Sequence, residues 1–257
     1  ILGNQQASLV GEMCLEKGQA KNTYRDGCFL IYNTGTTRVQ STHGLATTIA
    51  FQMGPSSRPT YALEGSVAVA GAAIKWLKNK MRLVNRVSEV EDEAAAVNTT
   101  GDVYFVPAFS GLYAPYWRKG RSWVSACTGS WTVCVCVCSI ICGLTQFTTK
   151  NHIIRAALEA VCFQTRDILE AMNKDCGIPL SKLQVDGKMT SNNLLMQMQA
   201  DLCGIPVERS TMTDVRALGA AMVAGRAEGV AVWNLEEQAK QAIESDVFLP
   251  TTTDEGW

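Results

Sequence analysis

The chain has 257 residues, 47% hydrophobic and 18% charged, which is enough apolar material for one large core or two small ones. Its formal net charge is −1 and its lysines and arginines form no basic block, so a nucleic-acid groove is excluded and a small-molecule or protein partner is expected. No apolar run reaches the roughly 18 residues of a membrane span, and "ILGNQQASLVGEMC" opens the chain without initiator methionine or leader, so it reads as the middle of a soluble, intracellular protein.

In chain order, "GCFLIYNTGTTRVQ" joins an apolar run, a turn at Asn33–Thr36 and a β-branched continuation, the pattern of a hairpin. In "SVAVAGAAIKWLKNKM" the apolar residues fall at helical spacing, with Ser66 placed to cap them. Ser88 and Glu91 form an S-x-x-E capping box for a further short helix. A long helix is predicted from about Asn151 to Cys176, with Ile154, Leu158, Val161, Ile168, Leu169 and Met172 on one stripe and Gly177 and Pro179 ending it. The period then changes. "KLQVDG" reads as a strand entering a glycine turn, "SNNLLMQMQADLCG" as a helix, "IPVERS" as a strand and "TDVRALGAAMVAGRAEG" as a small-residue helix. Strands alternating with helices indicate an α/β fold.

Ten cysteines in a chain of this length make no disulfide framework. Cys14, Cys28, Cys162, Cys176 and Cys203 sit in apolar-patterned segments and read as buried thiols. "TVCVCVCSIICG" (132–143) is different. C-x-C-x-C on an extended strand points the thiols to one side without converging them, which argues against zinc. A strand is locally plausible, but an in-frame GT dinucleotide repeat also encodes alternating valine and cysteine, and the segment is read as retained intronic sequence. His43 and His152, the only histidines, stand in no metal-ligand spacing, so no metal site is expected among these side chains.

Six stretches carry a resemblance: "KNTYRDGCFLIYNTG", "YALEGSVAVAGAAIKWL", "VPAFSGLYAPYW", "ICGLTQFTTKNHIIRAALEAVCFQTRDILEAMN", "VDGKMTSNNLLMQMQAD" and "ALGAAMVAG". In this order they closely resemble the C-terminal half of the FGGY carbohydrate kinases, and "AKNTY" followed by "GCF" resembles the glycerol branch. The resemblance implies an actin-like, ribonuclease H-like ATPase domain over residues 1–250, interrupted by an atypical insert at about 118–139 and followed by a tail at 251–257. It also implies phosphoryl transfer from ATP, with Mg2+, to glycerol or a related polyol, across a cleft whose other wall is an N-terminal half lacking here. A cytoplasmic location, or the mitochondrial outer surface in animals, and a homo-oligomer belong to the same expectation. A related sugar kinase, and a degenerate domain that binds or oligomerises without catalysis, are the alternatives.

The resemblance assigns roles residue by residue. Gly3-Asn4-Gln5 stands where the family has Gly-Asp-Gln, so Asn4 occupies the position of the general base and Gln5 that of a substrate contact. An asparagine amide takes no proton at neutral pH, and the base contribution of roughly 10²- to 10⁴-fold is expected to vanish. Thr34 and Gly35 match a phosphate-binding hairpin, Gly71 and Lys75 nucleotide contacts, and Gly187, Lys188 and Asn192 the adenosine side. Lys188 replaces a second glycine, and a positive φ there would strain it by about 1 to 2 kcal/mol. Gly219 matches a site of close helix packing. These departures imply an impaired or inactive chain.

Overall fold

The computed structural model describes residues 2–119, 139–212, 215–227, 229–230, 232 and 244–251. Residues 120–138, which hold most of the cysteine-rich stretch, and the tail after Thr251 lie outside the described residues, so the readings of them as insert and tail do too.

The elements run α1 (Asn4–Gly11), β1 (Ala20–Tyr24), β2 (Cys28–Gly35), β3 (Ala46–Phe51), β4 (Thr60–Val67), α2 (Gly71–Asn79), a 3₁₀ turn (Val87–Glu89), α3 (Val90–Ala95), β5 (Tyr104–Val106), β6 (Gly111–Leu112) and β7 (Arg118–Lys119). They continue with β8 (Ile140–Cys142), α4 (Lys150–Cys176), β9 (Leu183–Asp186), a second 3₁₀ turn (Lys188–Ser191), α5 (Asn193–Cys203), β10 (Val207–Ser210), α6 (Val215–Gly225) and β11 (Ser245–Phe248). Seven strands form a mixed sheet in the order β11-β10-β9-β1-β2-β4-β3. The central β1, β9 and β10 are parallel, and the flanking pairs antiparallel. Parallel neighbours need crossovers, here made through α4 and α5. This is the α/β architecture expected.

Leu30 and Tyr32 of β2 join one core with α4 and α5, whereas Ile31 joins a second with Leu9, Val10 and Met222. Side chains alternate across a strand, so α4 and α5 cover one face of the sheet and α1 and α6 the other. α1 and α6 touch backbone to backbone: a Cβ on Gly219 would lie 1.8 Å from the Ala7 carbonyl oxygen, and one on Gly11 2.1 Å from that of Val215. Gly219 does keep a close helix contact, and its partner is α1.

α4 starts one residue before the expected point and ends at Gly177, which takes the left-handed φ of 65° that stops a helix without side-chain strain. Its first turn is closed by Thr149, whose backbone N–H donates to His152 Nδ1 at 3.0 Å, so His152 caps a helix. His43 is structural too: its Nδ1 lies 2.7 Å from Asp175 Oδ1, and Ser41 and Thr42 donate to the same carboxylate. Burial opposes the charge on Asp175, but these hydrogen bonds prevail and hold its carboxyl at about 2.

Three local expectations are corrected. Ser66 caps nothing; it lies in β4 opposite Phe29, and the helix starts only at Gly71. Pairing with β2 at Ser66 and Val67 outcompetes the helical reading of the start of "SVAVA". The pair Ser88 and Glu91 forms no capping box: Glu89 instead accepts from the backbone N–H groups of Asn85 and Arg86, at 3.0 and 3.3 Å. Glu91 reaches across to accept from Asn193 N at 3.1 Å, capping α5. The hairpin at Asn33–Thr36 is absent as well, because β2 ends at Gly35 and its partners are β1 and β4. The tight hairpin lies at the other end of β2, at Arg25–Gly27.

Candidate functional site

A cleft of about 710 Å3 opens over the β1–β2 turn. Arg25, Asp26 and Gly27 form one side, Gly71 and Lys75 of α2 the next, and Lys188 and Asn192 the third, over a floor that includes Ile74, Val90, Leu158 and Leu195. Two glycines permit this convergence. Gly187 ends β9 with φ of 103°, and a Cβ there would lie 2.2 Å from the Tyr24 carbonyl oxygen, so only glycine lets the β9 turn press against β1. At the start of α2, Gly71 N donates to the Arg25 carbonyl at 2.9 Å, and a Cβ on Gly71 would meet that oxygen at 2.6 Å. Ala70 N also donates to the Asp26 carbonyl, at 2.8 Å. The turn is thus clamped by backbone from α2 and crowded from β9.

Side-chain chemistry is set by these placements. Lys75 Nζ pairs with Asp26 Oδ1 at 2.5 Å across the cleft edge. Asn192 caps α5, its Oδ1 accepting from Leu195 N at 2.8 Å. Lys188 is the exposed first residue of its 3₁₀ turn. The left-handed backbone position is Gly187, and Lys188 is not among the residues with positive φ. The strain expected of Lys188 is therefore absent, because one glycine suffices to make the turn.

Gly71, Lys75, Lys188 and Asn192, dispersed along the sequence, meet in this cleft, and Gly187 lies directly behind it. Thr34 and Gly35 do not. They sit at the opposite end of an eight-residue strand, roughly 20 Å away. There Thr34 Oγ1 donates to the Thr37 carbonyl at 3.0 Å and Gly35 N to Asn33 Oδ1 at 2.8 Å, so the turn satisfies itself. The residues missed are Arg25, Asp26 and Gly27. Their signal was present in "TYRDGCF", where Asp-Gly stands between two strand-like runs.

Asn4 and Gln5 open α1 on the other helical face; Asn4 is exposed and does not line the cleft. Gln5 Oε1 accepts from Lys21 Nζ, which also donates to Thr23 Oγ1 at 2.7 Å. Lys21 is fully buried in the central strand, and that burial pushes its ammonium down to about 8 against the pull of Asp186. Burial, then the charge of Asp186, pushes the Glu12 carboxyl up to about 8. Ser8 Oγ donates to Asp186 Oδ2 at 3.0 Å, while Asp186 Oδ1 and Glu12 Oε1 have no partner among the described residues. The cluster fixes the carbonyl end of Gln5 and leaves its amide nitrogen as the donor end. Among the described residues no three His, Cys, Asp or Glu side chains gather to hold a metal.

Comparison with known proteins places this geometry. The sequence profile of the FGGY family of carbohydrate kinases, C-terminal domain, matches residues 20–228. The chain belongs to the FGGY family of carbohydrate kinases. A probable glycerol kinase of Dictyostelium discoideum is 49% identical over 230 residues, covering 90% of this chain and 40% of that protein. A glycerol kinase of Arabidopsis thaliana is 46% identical over 260 residues, covering 97% of this chain and 46% of that protein. The chain thus spans less than half the length of these curated relatives. Among solved structures, Plasmodium falciparum glycerol kinase with ADP superimposes with a TM-score of 0.86 at 38% identity, over 98% of this chain and 47% of that one. A ligand-bound xylulose kinase from Lactobacillus acidophilus, 17% identical with a TM-score of 0.75, shares the fold. The FGGY domain has the actin-like, ribonuclease H-like ATPase fold, and the mixed sheet found here is its core.

Proposed function

We propose that this chain is the nucleotide-carrying wall of an ATP-dependent glycerol kinase, which transfers the γ-phosphoryl group of ATP to a terminal hydroxyl of glycerol to give glycerol 3-phosphate. The observation that carries the reading is the cleft itself: Gly71, Lys75, Lys188 and Asn192 converge on one apolar-floored space with cations at its rim. An apolar floor suits a flat base, and cations suit phosphates. Gln5, steadied by Lys21, is the candidate alcohol contact. Mg2+ enters this reading as the ion that accompanies the nucleotide phosphates. The one acid lining the cleft, Asp26, is taken by Lys75, so the described residues do not fit a protein-held metal, and no step is derived through it.

A specific residue favours the second reading, a domain that binds nucleotide without turning it over. Asn4 stands at the base position and its amide cannot accept the alcohol proton. ADP release with glycerol, measured beside an ADP titration, separates the two: turnover supports the kinase, and binding without turnover supports the non-catalytic domain. Joined to an FGGY N-terminal half, Asn4→Asp is expected to raise kcat about 10²-fold or more; an unchanged rate removes Asn4 from the base position. A related polyol in place of glycerol, a cytoplasmic location and self-association belong to the same reading. Tyr104, Val106, Ile140 and Phe163, exposed beside α4, support self-association.

A further inference from the structure

The turn between β9 and α5 faces the cleft with Lys188, Met189, Ser191 and Asn192, whereas Thr190 and Asn193 stand outside its lining. Those two are held from behind. Arg209 of β10 donates through Nη1 to the Thr190 carbonyl at 2.6 Å and to Asn193 Oδ1 at 2.8 Å. One guanidinium nitrogen thus bridges the residues on either side of Ser191 and Asn192. The rest of the fork is engaged as well: Nε and Nη2 donate to Asp246 Oδ2 at 3.1 and 2.7 Å. Asp246 is the register partner of Arg209 across β10 and β11, and the Phe248 ring lies 5.1 Å from Cζ. A guanidinium so placed, on a side chain only 18% exposed, has its planar fork committed to one pose. Attraction to α5 does not explain the placement, because a cation beside the first turn of a helix opposes its dipole. Asp246 offsets that charge and leaves the grip on the turn. The gripped segment has little rigidity of its own: it follows Gly187, with its φ of 103°, and runs as a 3₁₀ turn, whose hydrogen bonds have poorer geometry than those of an α-helix.

We infer that Arg209 is a positioning residue for the adenosine side of the cleft: by gripping Thr190 and Asn193 it fixes Ser191 and Asn192 against the ligand, and it acts from outside the cleft lining. The inference rests on the nucleotide reading for the ligand's class, a nucleoside polyphosphate. Fixing a wall before the ligand arrives removes part of the ordering cost of binding. Because the grip lies on one wall, its loss falls on the nucleoside and not on the phosphates.

The test is a calorimetric titration of the 257-residue chain with adenosine, ADP and inorganic pyrophosphate, beside amide hydrogen exchange of the ligand-free chain. Arg209→Gln is expected to weaken adenosine and ADP about 10-fold and to leave pyrophosphate within about 2-fold of the parent, which also shows that the variant is folded. Exchange at residues 188–193 is expected to speed up in the same variant. Arg209→Lys keeps a charge opposite Asp246 but lacks the fork, and is expected to weaken adenosine by a similar factor. Parent-like adenosine affinity in either variant overturns the inference, and so does an equal loss of pyrophosphate, which marks a general loss of structure. A parent chain that binds neither adenosine nor ADP removes the nucleotide reading. Exchange still tests the grip in that case, and unchanged exchange at 188–193 in Arg209→Gln overturns it.

Discussion

The two ends of β2 make an instructive pair. Each carries a glycine turn, Arg25-Asp26-Gly27 at one end and Asn33-Thr34-Gly35 at the other, and each glycine turn is a plausible anion cradle on sequence alone. At the first end, α2, the β9 turn and the cap of α5 all arrive at the same point. At the second, the polar groups are spent locally, on Asn33 Oδ1 and the Thr37 carbonyl. The loop beyond Thr37 is anchored on α4 through Asp175. A turn becomes a site through what converges on it, and convergence is a property of the fold.

Substitutions around both ends test that contrast. Gly187→Ala has the largest expected effect: a Cβ at 2.2 Å from the Tyr24 carbonyl oxygen and a φ of 103° should cost at least about 2 kcal/mol and abolish ADP binding. Urea unfolding and calorimetry read both. Gly71→Ala puts its methyl against the Arg25 carbonyl and is expected to cost about 1 to 3 kcal/mol, with ADP binding weakened severalfold. At the far end, Asp175→Asn should lose about 1 to 2 kcal/mol and leave ADP affinity untouched. Asp175 is held at about 2, below its ordinary 3.8, so between these values the unfolded chain binds more protons than the folded one. The stabilisation is full above about pH 4 and is lost as the pH falls through about 2; Asp175→Asn should flatten that limb of a stability–pH curve. The smallest effect belongs to Gly35→Ala, whose φ of 74° sets a strain of about 1 kcal/mol, again without change in ADP binding. A matching loss of ADP affinity at Gly35 would return that turn to the site.

The same contrast explains what the sequence made legible. α4, α5, α6, β9 and β10 could be read because apolar period, caps and glycine stops agree within each segment. Gly71, Lys75, Gly187, Lys188 and Asn192 were singled out through the resemblance, and all but Gly187 line the cleft. β1 was recognisable only as a motif: Lys21, Asn22 and Thr23 are polar yet wholly buried, so the central strand does not look like a core strand. Of these, Lys21 is satisfied by Thr23 two residues on and, from outside the local window, by Gln5 and the Phe29 carbonyl, whereas the Asn22 side-chain amide has no partner among the described residues. The placement of Thr34 and Gly35 away from the cleft was hidden for the same reason. Both turns carry suitable residues, and strand direction and register, which set Val67 opposite Cys28 and Asp186 opposite Thr23, decide which one faces α2 and the β9 turn.

The glycine contacts between α1 and α6 have a mechanical consequence. With the Ala7 and Val215 carbonyls seated where Cβ atoms would otherwise stand, any side chain at Gly219 or Gly11 would act as a wedge and force the two helices apart.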